Sequence, residues 1–256
     1  MSVGISPTRV VDGSAKFASL WRITQNIGNR TSPESFINQM NSSPLVIIGA
    51  GGHARVVLDI ARTLERPVSA LVDDHKAITA LDGVQVLDSI HKLADRPDSY
   101  EFVVAIGDNF VRAQTAVSLQ AAIPQIRFAI LCHPAATIAR GSFLDMGTVV
   151  MAGAVVNPGS RIGKHCIVNT QASIDHDNII GDYASLAPGS ITGGNVRVGE
   201  YAVLCLGASV IHNITVGPHS IVAAGAVVLE DVPDYSIAIG VPARISRKRD
   251  AGDPYL

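Results

Sequence analysis

A six-residue repeat runs through the second half of the chain. From Ile138 to Val228 every sixth residue is aliphatic, with Thr192 as the one exception among sixteen positions. Glycine follows the aliphatic residue in every third hexad, at Gly163, Gly181, Gly199 and Gly217. A period of six nested in a period of 18 predicts a prism with three flat walls and one coil per 18 residues. The pattern is typical of a parallel β-helix built from hexapeptide repeats.

The fifth position of each hexad explains how the prism fills its interior. It is nearly always small, at Ser142, Thr148, Ala154, Ser160, Cys166, Ala172, Ala184, Ser190, Ala202, Ala208, Ser220 and Ala226. One aliphatic and one small side chain per hexad point inward, because a larger residue separates the walls and a polar one is buried without a partner. The backbone bonds to coils about 4.8 Å above and below.

Composition limits the classes of partner. The chain has 256 residues, enough for two domains with a core in each, and a net charge of −2. This charge predicts no nucleic-acid partner and no anionic membrane surface. Cys132, Cys166 and Cys205 show no metal-ligand spacing and are predicted to be reduced packing residues. No apolar run approaches the roughly 20 residues of a membrane helix, so no membrane insertion is predicted.

The first residues differ from the rest of the chain. Residues 1–43 are predicted to be a poorly ordered extension, because they are rich in Ser, Asn, Arg and Thr and have no sustained periodicity. Met40 is either a natural start or the end of a loosely ordered arm. The segment lacks the apolar region of a secretory signal. Residues 247–256 are predicted to form a C-terminal tail.

Residues 44–132 predict a small Rossmann-like α/β domain. Apolar runs alternate with helical spacing, which favours a parallel sheet with ligands at the carboxyl ends of its strands. The predicted strands are 45–50, 68–72, 102–106 and 126–131, and the predicted helices are 54–64 and 110–121.

Three polar or glycine-rich segments gather at that carboxyl edge. They are Gly51-Gly52-His53, Asp73-Asp74 and Asp108-Asn109. Glycines before a helix N-terminus let the backbone approach a diphosphate, or they form only a tight turn. The aspartates bind ribose or a base edge, or they end a strand in solvent. At under 90 residues the domain is too small for a whole dinucleotide fold, which favours a nucleotide attached to another group.

One histidine in the repeats has the surroundings of a general base. Ile174 faces inward, so His176 lies at a corner with its imidazole outside, between Asp175 and Asp177. A carboxylate on one ring nitrogen fixes the tautomer and leaves the other nitrogen to take a proton. The alternative is a surface histidine between charged residues. His212 lies two coils further along the same edge, roughly 10 Å away, and no third metal ligand is evident.

These residues carry a resemblance to a known family. A Gly-Ala-Gly-Gly-His α/β domain, repeats containing Asn-Thr and Asp-His-Asp, and a final Gly-Val-Pro-Ala-Arg together cover about residues 44–246. The chain resembles the sugar O- and N-acyltransferases, which include sialic-acid O-acetyltransferases and bacillosamine and perosamine N-acetyltransferases. The resemblance implies a left-handed β-helix over residues 133–246, an exception to the right-handed crossover rule. It also implies a cytoplasmic homotrimer that uses acetyl-CoA and a nucleotide-sugar at subunit interfaces, without a metal.

The resemblance also implies residue roles. His176 is similar to the family's general base, Asp177 to the residue that orients it, and Gly194 to the glycine whose amide stabilises the oxyanion. Further matches imply contacts to the nucleotide-sugar and to the coenzyme. The nucleotide-sugar contacts are Gly51, Gly52, His53, Asp73, Asp74 and Asn169, and the place of Asp108 and Asn109 at the carboxyl edge adds these two; the coenzyme contacts are Gly194, Gly240, Val241 and Pro242. The family often has another polar residue at the position of Ser185.

The implied reaction is acetyl transfer to the amino group of a nucleotide-linked 4-amino-4,6-dideoxyhexose. A sugar O-acetyltransferase is the nearest alternative, because the same base deprotonates a hydroxyl. A γ-type carbonic anhydrase needs a third histidine five residues after the second, where Gly217 stands. A non-catalytic scaffold is the remaining alternative.

Overall fold

A computed structural model describes residues 43–75, 78–93 and 99–253. The described residues belong to one compact unit. The predicted N-terminal extension lies outside the described residues, apart from Ser43, and so does Met40. Of the predicted tail, residues 247–253 are described.

The first part of the described chain is an α/β unit built on a five-stranded sheet with the order β3-β4-β2-β1-β5. The strands are β1 (Leu45–Ile48), β2 (Val68–Val72), β3 (Ala80–Leu81), β4 (Val84–Leu87) and β5 (Glu101–Val104). The helices are α1 (Gly52–Thr63), α2 (Asn109–Ala122) and a 3-10 turn at Ile90–Leu93. Strands β4, β2, β1 and β5 run parallel, and only β3 is antiparallel to its neighbour.

Local sequence explains these elements. All four residues of β1 are buried, as expected of a central parallel strand. The chain then turns at Gly49, whose φ is +104° and whose added Cβ would lie 3.0 Å from the Ala105 carbonyl oxygen. Only glycine fits there without strain. Helix α2 begins where the Asp108 carboxylate accepts a hydrogen bond from Val111 N at 2.9 Å.

The predicted strand at 126–131 is wrong. Phe128 makes one parallel bridge to Phe102, and the next strand, β6 (Leu131–Cys132), pairs with the repeats instead of the first sheet. The chain has to leave one sheet to enter the other here, so a continuous strand cannot form. The hairpin β3–β4 was not predicted, because its first strand has two residues and too little pattern to detect.

The repeats form a parallel β-helix with three walls. Wall 1 holds β7, β10, β13, β16, β19 and β22, wall 2 holds β8, β11, β14, β17 and β20, and wall 3 holds β6, β9, β12, β15, β18, β21, β23 and β24. Most strands have two residues: β7 (Thr137–Ile138), β8 (Phe143–Leu144), β9 (Val149–Val150), β10 (Val155–Val156), β11 (Arg161–Ile162), β12 (Ile167–Val168), β13 (Ser173–Ile174), β14 (Ile179–Ile180), β15 (Ser185–Leu186), β16 (Ile191–Thr192), β17 (Arg197–Val198), β18 (Val203–Leu204), β19 (Ser209–Val210), β20 (Thr215–Val216), β21 (Ile221–Val222) and β22 (Val227–Val228).

The register matches the sequence period. Each strand pairs in parallel with the strand 18 residues away, as Ser173 pairs with Ile191 and Ile174 with Thr192. The second residue of each strand points inward, and these aliphatic side chains form one continuous core with the alanines of the turns. Thr192 is also buried, and its hydroxyl has no hydrogen-bond partner among the described residues.

The outer faces of the walls differ. Wall 3 is covered by the α/β unit, because Leu131, Val149 and Ile167 pack in one buried cluster with residues of β1 and α1. Wall 1 carries no charge on its outer face, where Ile191 is 49 % exposed. Its other outward residues are Thr137, Val155, Ser173, Ser209 and Val227.

Wall 3 ends in an antiparallel hairpin of β23 (Ser236–Gly240) and β24 (Ala243–Lys248). The turn of the hairpin is Gly240-Val241-Pro242, and Val241 is 72 % exposed. Across the described residues, no helix has the length and apolar character needed to span a membrane.

Candidate active site

His176 lies in the turn 175–178, between β13 of wall 1 and β14 of wall 2. Its Nδ1 is 2.8 Å from Asp177 Oδ2, and its side chain is 59 % exposed. Asp177 has a φ of +58°, in the left-handed region that aspartate tolerates better than most residues. This backbone turn brings the carboxylate alongside Nδ1, so that Nε2 is the ring nitrogen left free.

The imidazole rests on Gly194 of the next coil. A Cβ added at Gly194 would lie 2.5 Å from both Cε1 and Nε2 of His176, so any side chain there would force the imidazole to move. Among the described residues no acceptor is found for the Gly194 N–H, while its carbonyl accepts from Asn213 N at 3.0 Å. A backbone donor therefore lies unpaired beside the free nitrogen of the imidazole.

Two carboxylates raise the pKa of His176 above its ordinary value of 6.5. The hydrogen bond that Nδ1 donates to the Asp177 carboxylate has the larger effect on this pKa, and the charge of Asp175 adds to it. Asp175 is itself held by the His176 backbone N–H at 2.8 Å and by Asn157 Nδ2 at 3.2 Å. The charged imidazolium is thus stabilised, which is the electrostatic arrangement of a base that takes a proton.

The ring opens into a cleft of about 430 Å³ on the surface of the prism. The cleft is lined by Asp175, His176, Gly193, Gly194, Asn195, His212 and Asn213. His176 and His212 share this edge, as the period predicts. Within the part of the chain that the structure describes, no group of three His, Cys, Asp or Glu side chains is placed to hold a metal ion.

Asn169 lies at a different corner of the prism. It occupies the turn between β12 of wall 3 and β13 of wall 1, and its Oδ1 accepts from Thr170 N at 2.8 Å. One chain therefore does not bring Asn169 and His176 together, because the width of wall 1 separates them.

The glycine loop and the first aspartate are joined at the sheet edge. Asp73 Oδ2 accepts from Ala50 N at 2.8 Å, and its Oδ1 accepts from His75 N at 3.0 Å. Asp74 is exposed, and its Oδ1 lies 3.4 Å from Nε2 of His75. Gly51 precedes α1 without a side-chain cap, and a Cβ added at Gly51 or Gly52 meets nothing within 4 Å. The first N–H groups of α1 therefore receive no side-chain cap from Gly51.

His53 follows these glycines on α1. Its Nε2 is buried and has no hydrogen-bond partner among the described residues. Burial, followed by the charge of Arg112, lowers the pKa of His53 to about 4. The side chain is therefore neutral at pH 7, and one of its nitrogens is unpaired at the edge predicted to bind the nucleotide.

Asn109 is placed differently from expectation, whereas the expected contact of Asp108 with the nucleotide-sugar stays a prediction. The Asp108 carboxylate caps α2, and Asn109 is buried against the prism, where its Nδ2 donates to the carbonyls of Tyr201 and Ala202 at 3.1 and 3.2 Å. Arg112 donates to Asn109 Oδ1 at 2.7 Å. Asn109 therefore joins the α/β unit to the prism, and its amide does not face a ligand, because these contacts occupy it.

Ser185 belongs to the same junction. It is buried on the outer face of β15, where its hydroxyl donates to Asn109 Oδ1 at 2.6 Å and accepts from Arg112 at 3.1 Å. Arg112 also donates to the carbonyls of His165 and Tyr183 in the prism turns. Nothing in the sequence marks Arg112, because a single arginine on a helix is typical of a surface residue.

Asn178 is a residue near His176 that no recognised motif includes. It stands at the fifth position of a hexad, where most other hexads have a small residue, and it is completely buried. Its Nδ2 lies within hydrogen-bond distance of three carbonyl oxygens around the cleft. The departure from the small-residue rule was the signal that marks it.

Known proteins are similar to this chain in both of its parts. The family model of the PglD N-terminal domain matches residues 44–119. A variant of perosamine N-acetyltransferase from Caulobacter crescentus, solved in complex with CoA and GDP-perosamine, is 39% identical with a TM-score of 0.75. That match covers 81% of this chain and 98% of that one. The acetyltransferase domain of PglB from Neisseria gonorrhoeae, in complex with acetyl coenzyme A, is 34% identical with a TM-score of 0.74. It covers 79% of this chain and 98% of that one.

A curated relative agrees with these structures. UDP-N-acetylbacillosamine N-acetyltransferase of Bacillus subtilis is 38% identical over 113 residues, which are 42% of this chain and 51% of that protein. The match thus spans about half the length of the curated relative. The chain belongs to the family of hexapeptide-repeat sugar N-acetyltransferases that includes perosamine N-acetyltransferase. The predicted family is confirmed, and so is the predicted fold, an α/β unit followed by a left-handed β-helix.

Proposed function

We propose that this protein transfers the acetyl group of acetyl-CoA to the amino group of a nucleotide-linked 4-amino-4,6-dideoxyhexose. The observation that carries the proposal is the imidazole of His176, oriented by Asp177 and seated on Gly194 in an open cleft. The relatives named above act on, or are bound to, molecules of these classes.

His176 acts as the general base. The sugar amine, bound in its neutral form, attacks the thioester carbonyl while Nε2 of His176 removes its proton. An N–C bond forms, the C–S bond breaks, and the CoA thiolate leaves and takes the proton from the imidazolium. A positioned base contributes about 10²- to 10⁴-fold in rate. Asp177 holds the ring in the tautomer that leaves Nε2 free.

The Gly194 N–H stabilises the oxyanion of the tetrahedral intermediate. It lies unpaired beside the imidazole, so the base can reach the attacking amine while the donor bonds the carbonyl oxygen of the thioester. One such donor is worth about 10²- to 10³-fold in rate. The acetyl-CoA chain then lies along the edge of the prism, and the exposed Gly240-Val241-Pro242 turn contacts the coenzyme at the end of wall 3.

The nucleotide-sugar binds at the carboxyl edge of the first sheet. The uncapped N-terminus of α1, formed by Gly51, Gly52 and His53, supplies backbone N–H groups and a positive field to the diphosphate. Asp73 holds this loop in place through Ala50 N, and the exposed Asp74 contacts ribose or base.

The complete site needs two copies of the chain, assembled as a homotrimer. The α/β unit covers wall 3, whereas His176 lies at the corner opposite wall 3, between walls 1 and 2. A nucleotide-sugar on one chain therefore meets the His176 of a neighbour. Wall 1, uncharged and with Ile191 half exposed, is the surface that a neighbour covers, and it brings Asn169 of one copy towards the His176 corner of the next.

Release of free thiol from acetyl-CoA, measured with a panel of UDP-, GDP-, dTDP- and CMP-linked amino sugars, tests the proposal. We expect one 4-amino sugar to be acetylated to an amide that resists hydroxylamine, whereas an ester product would indicate O-acetylation.

His176→Ala is expected to lower kcat by about 10²- to 10⁴-fold with little change in KM. A matched His91→Ala variant, on the exposed 3-10 turn of the α/β unit, is the control. If His176→Ala keeps kcat within a few-fold of the parent, the base is assigned wrongly. Localisation in the cytoplasm stays a prediction.

A further inference from the structure

A recurring hydrogen bond links successive turns of the prism from inside. An inward side chain donates to the backbone carbonyl 15 residues later, as Thr148 does to Gly163 at 2.7 Å and Ser160 to Asp175 at 2.7 Å. The thiol of Cys166 makes the same bond to Gly181 at 3.1 Å. Each bond ties one turn to the next coil, because 15 residues lead from the end of one turn to the start of the turn stacked on it.

Asn178 is the member of this series that carries an amide. Its Nδ2 donates to Gly193 O at 2.9 Å, the bond that the period predicts. Unlike a hydroxyl, the amide has a second hydrogen, and this reaches back to its own turn, to Asp175 O at 2.7 Å and His176 O at 3.1 Å. One buried group therefore holds the turn of the proposed base and the turn of the proposed oxyanion donor together.

The bond to Gly193 also orients the Gly194 amide. The Gly193 carbonyl and the Gly194 N–H belong to one planar peptide group and point in opposite directions. Since Asn178 draws that carbonyl into the prism, the N–H is turned outward, beneath the imidazole of His176. A second link runs along the backbone, where Asn195 N donates to His176 O at 2.9 Å.

The arrangement has a cost. Asn178 is 0 % exposed, and its Oδ1 has no hydrogen-bond partner among the described residues. An unsatisfied buried carbonyl is unfavourable, and the small residues at most other equivalent positions avoid it. Ser190, at an equivalent position, is also buried without a partner, so what distinguishes Asn178 is the amide that bonds both turns beside the cleft.

We infer that Asn178 is a positioning residue, which fixes the distance and direction between the His176 base and the Gly194 oxyanion donor from inside the prism. This inference rests on the proposed acetyl transfer. Asn178 touches no substrate and acts only through the two turns. Its loss is therefore expected to lower kcat without changing KM, because substrate binding does not depend on the mutual alignment of base and donor.

Three variants of the full-length protein test the role. Asn178→Ala removes all the bonds, and its kcat is expected to fall about 10- to 100-fold, the scale of a misplacement of about 1 Å. Asn178→Ser keeps a donor for Gly193, as Ser160 does one coil earlier, and Asn178→Cys keeps a weaker one, as Cys166 does. The expected order of kcat is parent, Asn178→Ser, Asn178→Cys, Asn178→Ala. Should the alanine variant not fold, the order of the serine and cysteine variants decides.

Ser220→Ala is the matched control. Ser220 is an equally buried inward donor, bonded to Pro233 O and Ser236 N, but it lies at the corner between walls 2 and 3. It is expected to lower Tm, as the Asn178 variants do, while keeping kcat within about twofold of the parent, because it lies away from the base. Equal kcat values for Asn178→Ala and Ser220→Ala, or an effect on KM alone, would overturn the inference.

Hydrogen exchange supplies a readout that does not depend on turnover. The Asn195 amide is protected by its bond to His176 O, which persists only while the two turns are held together. We expect its exchange to be about tenfold faster in Asn178→Ala and unchanged in Ser220→Ala. Unchanged exchange in both contradicts the inference. Should the parent protein transfer no acetyl group, the proposed function fails, and the exchange rates still decide whether Asn178 joins the turns.

Discussion

Two corners of the prism use the same repeat for opposite purposes. At the corner between walls 2 and 3, residues spaced 18 apart stack their rings: His165 on Tyr183 at 5.3 Å, Tyr183 on Tyr201 at 5.2 Å and Tyr201 on His219 at 4.5 Å. At the corner of His176 the neighbouring coil presents Gly194 instead of a ring. The first corner is filled, and the second is left open.

The two histidines show the consequence. His165 is buried between Phe128 and Tyr183, and burial, with smaller effects from Arg112 and Lys164, lowers its pKa to about 4. His176 is exposed, and Asp177 and Asp175 raise its pKa. The same residue type is a neutral packing group at one corner and a candidate base at the other. Burial at one corner, and exposure beside two carboxylates at the other, decide between the two roles.

The largest loss of kcat is expected when a side chain is added at Gly194, in the open corner. Gly194→Ala places a Cβ where the imidazole of His176 now lies, so the ring has to move away from Asp177 or from the cleft. We expect kcat to fall by at least about 10²-fold, since both base and oxyanion donor are displaced. Steady-state kinetics measure this, with Gly207→Ala as a control: this exposed glycine lies between walls 3 and 1, and its added Cβ meets nothing within 4 Å. Its φ of +63° makes alanine unfavourable there, so this control is expected to lose stability and keep the kcat of the parent. An active Gly194→Ala enzyme would show that the contact does not matter.

The electrostatic difference between the corners is tested by Asp177→Asn. Asparagine accepts the left-handed backbone of this position, so the turn is preserved. The base works when neutral, so kcat/KM rises as pH passes through its pKa. Because Asp177 raises the pKa of His176, its removal moves this limb to lower pH, and the plateau falls about tenfold with the loss of orientation.

The measurement is the pH dependence of kcat/KM for parent and variant. Asp175 also raises the pKa of His176, so the variant is expected to retain part of the elevation. A limb that stays in place, or that moves to higher pH, contradicts the assigned role of Asp177.

The smallest effect, a modest loss of stability without loss of activity, is expected for a mutation at the filled corner. Tyr235 ends the ring stack, 4.7 Å from His219 and 39 % exposed. Tyr235→Ala is expected to reduce the free energy of unfolding by about 1 kcal/mol, the value of one aromatic contact. Its kcat should equal that of the parent. Thermal unfolding and an acetyl-transfer assay on the same samples check both parts, and a drop in kcat would mean that the two corners are coupled.

The repeat made the prism predictable, because each inward position tolerates few residue types. A pattern that keeps one phase over ninety residues does not arise by chance. The position of His176 at an outer corner followed from the same period. Asn109 was misplaced because carboxyl-edge residues look alike in sequence, whether they face a ligand or a second domain. Nothing local in the sequence shows that Ser185 and Arg112 meet Asn109 across the junction.

The contact between the His176 ring and Gly194 was harder to predict than the role of His176 as a candidate base. That His176 rests on Gly194 depends on the tilt of the ring, which spacing does not define. Asn178 shows what a repeat offers in return: one residue that departs from the small-residue rule stands directly behind the cleft. In a regular fold the exceptions are the positions to inspect first.

The claim that two copies share each site is tested most directly by mixing two inactive variants. His176→Ala removes the base. Gly51→Asp places a carboxylate at the N-terminus of α1, where it suits the helix as a cap but repels a diphosphate. When the two are unfolded, mixed in equal amounts and refolded together, about a quarter of the sites in a cyclic oligomer combine an intact base with an intact nucleotide edge. We expect about a quarter of the parent activity to return; activity no greater than that of the separate variants would contradict the shared site.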